Sequence, residues 1–127
     1  MQTIHYVPNL PWSEELLLFE DEARTVVADI TGVSFRMHWR SRLSSEVIIA
    51  EASTNNGKIT QTNITDGDLT RIGIKIVLSA IDTLNLYRQG VRGVALTDIE
   101  ATYPDLSVFV PVLSFRFEPS KPITRDF

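Results

Sequence analysis

The chain has 127 residues, no cysteine and a formal net charge of −4; 43% of its residues are hydrophobic and 22% charged. That length and apolar fraction fit one folded domain with a real core rather than a disordered chain, and the missing cysteine excludes disulfides and thiolate metal sites. The acidic balance argues against a general electrostatic binder of nucleic acid, and no apolar run approaches the roughly 20 residues of a membrane-spanning helix.

The N-terminus has no basic region followed by an apolar run, so no signal peptide is expected. Residues 1–12 read as an extended arm, because Pro8 and Pro11 disfavour both helix and ladder pairing. The arm carries Tyr6, Leu10 and Trp12, which leaves two dispositions open: packing back on its own domain or docking on a neighbour. Residues 13–118 are expected to form the domain. Residues 119–127, with Pro119 and Pro122 and no periodicity, read as a tail ending in Phe127.

Within the domain, Glu14 to Glu20 and Thr25 to Ile30 are strand candidates. Asp29-Ile30-Thr31-Gly32 is a tight turn that feeds a strictly alternating strand, Val33 to Arg40. Val33, Phe35, Met37 and Trp39 point one way; Ser34, Arg36, His38 and Arg40 point the other. Glu46 to Ala52 is a further strand. Asn55-Asn56-Gly57-Lys58 is a turn, since Asn and Gly tolerate positive φ. Ile59 to Asn63 is a short strand and Thr65-Asp66-Gly67-Asp68 another turn. Leu69 to Leu78 alternates, with Ile72, Ile74, Ile76 and Leu78 on one face. Ser79 and Asp82 have the spacing of a capping box, which predicts one short helical turn. Gly90 and Gly93 punctuate a loop, Val94 to Ala101 is a strand, and Tyr103-Pro104-Asp105 a turn. Leu106 to Phe117 is a long strand in which Pro111 calls for an edge position or a bulge. Seven or eight short strands with regular turn signals and no alternating helices predict an all-β sandwich or barrel.

Candidate chemistry is sparse. His38 lies between Arg36 and Arg40, where neighbouring cations disfavour a protonated ring or a bound metal, and His5 has no partner at ligand spacing. Glu20-Asp21-Glu22 lacks the regular oxygen ligands of a calcium loop. Ser41, Ser44 and Ser45 lack a nucleophile elbow and an activating histidine–acid pair. No phosphate-binding glycine loop occurs. The expectation is therefore no enzyme, no metal and no cofactor. The cationic set Arg36, Arg40 and Arg42 fits either cross-strand pairing with acidic neighbours or a protein interface.

In order along the chain, the segments resemble a group of small structural proteins of tailed bacteriophages and prophages, among them the N-terminal domain of the lactococcal phage upper baseplate protein. The resemblance rests on Asp29-Ile30-Thr31-Gly32, Phe35-Arg36-Met37-His38-Trp39-Arg40, Val47-Ile48-Ile49-Ala50-Glu51, Asn56-Gly57-Lys58-Ile59, Ile74 to Ala80 with Thr83-Leu84, Asp98-Ile99-Glu100-Ala101-Thr102 and Pro104-Asp105. It spans roughly Glu14 to Thr124, while the arm has no counterpart and Leu86 to Arg92 is more irregular than the pattern. It implies an immunoglobulin-like antiparallel β-sandwich of seven to eight strands, made in the bacterial cytoplasm and assembled into the virion in multiple copies. It further implies an adaptor at tail, collar or baseplate that contacts other virion proteins, with no nucleic acid and no membrane insertion. Capsid decoration and carbohydrate binding are the alternatives, the latter requiring exposed aromatics whereas Trp39 falls on the apolar face. The candidate interface residues are Tyr6, Trp12 and Phe127, as aromatic anchors, with Arg36 and Arg40.

Overall fold

A computed structural model describes residues 1–20, 26–42, 44–105 and 108–120. The elements run β1 (Gln2–Tyr6), β2 (Trp12–Leu16), β3 (Ser34–Trp39), β4 (Ala50–Ser53), β5 (Ile59–Asp66), β6 (Leu69–Leu78), α1 (Ala80–Gln89), β7 (Ala95–Thr102) and β8 (Val110–Pro119). The strands form two open sheets, one ordered β1-β8-β7-β3-β4 and the other β2-β6-β5. The protein is thus mainly β, sandwich-like, with one short helix.

Alternation decides the layers. Phe35, Met37 and Trp39 of β3 turn inward beside Ala95, Ile99 and Ala101 of β7 and Phe115 and Phe117 of β8. The smaller sheet answers with Ile74, Ile76 and Leu78 of β6 and Ile59 of β5. Alanines at 52, 95 and 101 leave room for the large rings, and Trp39 stands edge-on to Phe117 with centroids 5.4 Å apart. Close approach also fixes Gly73 in β6, where a Cβ would lie 2.3 Å from the Leu16 carbonyl oxygen of the neighbouring strand.

The turns follow their local chemistry. Asp29 Oδ1 accepts from the Thr31 N–H at 3.0 Å, and this bond holds the Asp29 carboxyl below its usual range. Asn56 Oδ1 accepts from the N–H groups of Ser53 and Lys58 at 2.9 and 3.0 Å. The capping box forms as the spacing predicts: Ser79 accepts from the Asp82 N–H, and Asp82 accepts from the Ser79 N–H. Lys58 reaches Asp82 at 2.6 Å and ties the β4–β5 turn to the helix start. Burial works to raise the Asp82 carboxyl, but Lys58 and the Ser79 groups bring it below the usual range.

Several expectations are corrected. The N-terminal arm is not free of ladder pairing: β1 pairs with β8 from Gln2 opposite Phe115 to Tyr6 opposite Pro119, and this pair is parallel, so the larger sheet is mixed rather than wholly antiparallel. Pro8 and Pro11 sit between β1 and β2, outside both strands, where they obstruct no ladder. The helix runs ten residues instead of one turn. Thr25 to Ile30 contributes an isolated bridge, Val27 opposite Phe19, among its described residues. The strand expected from Glu46 begins at Ala50, with Val47 and Ile48 exposed before it. Pro111 does accompany a bulge, since Ile99 faces Leu113 and Glu100 faces Pro111, leaving Val112 as the extra residue.

Candidate interaction surfaces

The structure separates the candidate residues. Tyr6 is a core side chain, 1% exposed, and its hydroxyl donates to the Gly93 carbonyl. Burial, with a contribution from Tyr87, pushes its phenol up to about 12. Of the two dispositions open to the arm, Tyr6 takes the first, and it offers no surface for docking. Trp12 is half-buried, edge-on to Phe117 at 4.9 Å. Phe127 lies outside the described residues.

Arg36 is held on both sides. Its Nε lies 3.3 Å from Glu100 Oε1, and its guanidinium sits 4.1 Å from the centre of the Phe109 ring. This is the cross-strand pairing role, because register places Arg36 opposite Glu100. The next outward residue of β3, His38, pairs with Glu51 at 3.5 Å, and on the neighbouring strands Ser114 Oγ donates to Asp98 Oδ1 at 2.6 Å. The middle of the outward face is therefore closed by its own partners.

Its ends are not. Arg40 exchanges backbone hydrogen bonds with Leu96 at 2.9 and 2.7 Å, and Leu96 in turn faces Arg116. No carboxylate pairs with Arg40 among the described residues. Beside this row an open hollow of about 490 Å³ is lined by Arg42, Arg92, Arg116, Val91, Val94 and Leu96. Arg116 pairs with Glu118 at 2.6 Å. Arg92 stands in a two-residue turn closed by reciprocal hydrogen bonds of 3.0 Å between Val91 and Val94. Its φ is +55° and that of Gly93 is +79°, the positive pair that tight hairpin turns require.

At the opposite end of β3, an apolar groove of about 520 Å³ opens between the chain leaving β2 (Leu16 to Glu20) and Val112, Leu113 and Phe115 of β8. Here β8 also has an open edge. β1 begins opposite Phe115, so Val110 to Ser114 have no strand on that side among the described residues. Val112 and Leu113 are exposed there, as is Met1.

Among the described residues no cluster of three histidines or acids is placed to hold a metal ion. Sequence reasoning missed Arg92 and Arg116, which reach one hollow from a turn and a strand 24 positions apart along the chain (116 − 92). The available signal was Arg92-Gly93 between two valines, an arginine where turn chemistry favours Asn, Asp or Gly. In comparisons with family models, curated proteins and solved structures, nothing matches this chain.

Proposed function

We propose that the chain is a non-enzymatic structural protein of a bacteriophage virion: an adaptor or accessory subunit at tail, collar or baseplate that docks fibres or spikes through protein contacts. In this proposal the sandwich is of the immunoglobulin-like kind that the motif order implies. Fold alone would not assign such a role.

The observation that carries it is the open edge of β8. On the side away from β7, the backbone groups of Val110 to Ser114 face no neighbouring strand among the described residues, next to an apolar groove with exposed Val112 and Leu113. An extended segment of a partner subunit added there gains main-chain hydrogen bonds from the edge and side-chain burial from the groove. Pro111 and the bulge at Val112 make the edge selective, since both oppose indiscriminate strand pairing.

A residue-resolution image of the intact particle tests this. The expected result is a copy number that is a small multiple of the tail symmetry, with partner main chain beside Val110 to Ser114. Hundreds of copies over the shell would transfer the protein to capsid decoration, and its absence from particles would overturn the virion role. Deleting residues 1–12 is a poor substitute, because it removes β1 and takes Tyr6 from the core.

A further inference from the structure

We propose that the arginine-rimmed hollow at the C-terminal end of β3 is a docking site for an acidic peptide segment of a partner protein, one that alternates carboxylates with apolar side chains. It lies at the opposite end of β3 from the open β8 edge and does not depend on the virion role.

Charge is the first support. Arg42, Arg92 and Arg116 converge on one hollow in a chain of net charge −4, and Glu118 beside Arg116 is the one carboxylate paired with any of the three among the described residues. A cluster in which two of three arginines have no ion pair among the described residues is complementary to a partner's carboxylates, and arginine forks suit them bidentately.

The turn at Arg92 is the second. An L-residue at φ +55° is strained, and such turns are normally built from Gly, Asn or Asp. Arginine brings nothing that the turn needs; it brings a guanidinium to the hollow. A local rule broken at an exposed position points to a demand other than folding.

The lining is the third, and it selects the class of ligand. Val91, Val94 and Leu96 supply apolar wall between the arginines, and about 490 Å³ is far more than a phosphate fills. Single-stranded nucleic acid would call for a stacking aromatic, and none lines the hollow. Alternating carboxylate and apolar side chains match both components of the surface.

Fluorescence anisotropy on the purified full chain tests this, with a labelled hexapeptide of alternating glutamate and leucine as the probe. The expected result is saturable binding that weakens as sodium chloride rises from about 50 to about 300 mM, while a lysine–leucine hexapeptide does not bind. Arg92→Gly keeps a residue suited to the turn, so it removes the guanidinium without endangering the fold, and a thermal melt checks this. It should weaken binding by about tenfold, and Arg42→Ala by a similar factor. Absence of binding by the unmodified protein would overturn the proposal. So would unchanged affinity in the Arg42→Ala/Arg92→Gly double variant. Tighter binding of a thymidine oligonucleotide, or equal competition by inorganic phosphate, would overturn it in favour of a general anion site.

Discussion

The inner and outer faces of the five-stranded sheet are made from alternate residues of the same strands, yet they hold together by different means. Inside, Phe35, Met37 and Trp39 interlock with Phe115 and Phe117, and almost no surface of these side chains remains. Outside, Arg36, His38 and Asp98 are each answered by a neighbour, Glu100, Glu51 and Ser114. Dispersion and water exclusion make the inner face strong, whereas solvent-screened polar and ionic contacts make the outer face nearly neutral in energy. The difference teaches where binding can reside. Along the middle of the outward face these side chains already have partners; at its two ends, among the described residues, Arg42 and Arg92 have no ion pair and part of the β8 edge has no neighbouring strand.

The contrast breaks most visibly at Trp39. Trp39→Ala should cost about 3–5 kcal/mol in a urea titration, because it opens a cavity against Phe117. Trp39→Phe should cost distinctly less. It keeps a ring and discards an indole N–H that has no acceptor among the described residues. Equal losses for the two would mean that the indole has a partner after all.

Tyr6 is the polar exception on the inner side. Tyr6→Phe leaves the Gly93 carbonyl without its donor and should cost about 1–2 kcal/mol. The sign of its pH dependence follows from burial. The phenol, at about 12 in the folded state, is raised from its ordinary value of 10.0. The stability it contributes is whole below the unfolded value and is lost as pH rises from there through the folded value. Urea titrations at increasing alkalinity should show the wild type losing this increment while Tyr6→Phe does not, so parallel curves would contradict the assignment.

Arg36→Ala tests the outer face and should cost less than about 1 kcal/mol, the Glu100 pair and the Phe109 stack together, since the side chain is 37% exposed. A loss comparable to that at Trp39 would erase the distinction between the faces.

How much of this was legible in the sequence varied with how local its cause was. The strand Leu69 to Leu78 and the cap at Ser79 and Asp82 appear where the pattern puts them, because alternation and capping are decided within a few residues. Even there Ile72 is exposed although it shares the alternating face; it lies beyond Ile74, the last β6 residue that β2 pairs. The capping box predicts one helical turn and Gly90 and Gly93 a loop after it, yet the helix runs on to Gln89. Its last turn is closed by the Gly90 N–H on the Leu86 carbonyl. β1 was invisible because its partner is β8, more than a hundred residues away, and nothing local announces a parallel pairing. The arginine hollow was hidden for the same reason. Arg40 and Arg42 stand out close together in the sequence at the end of β3, but the side chains that complete the cluster arrive from a turn and another strand.

The smallest expected effect separates energy from recognition most cleanly. At φ +55° the Cβ of Arg92 is a liability, costing about 1–2 kcal/mol relative to a right-handed conformation. Glycine removes that strain but gives back about 0.4–1 kcal/mol by widening the unfolded ensemble. Arg92→Gly should therefore leave the melting temperature unchanged or raise it by a degree or two, because the exposed guanidinium has no ion pair among the described residues to lose. A drop of several degrees would mean that the arginine holds its turn through contacts of its own, and its strain would then need no other explanation. Unchanged stability would leave that strain unexplained by folding, and thus make the residue a feature of the surface rather than of the sandwich beneath it.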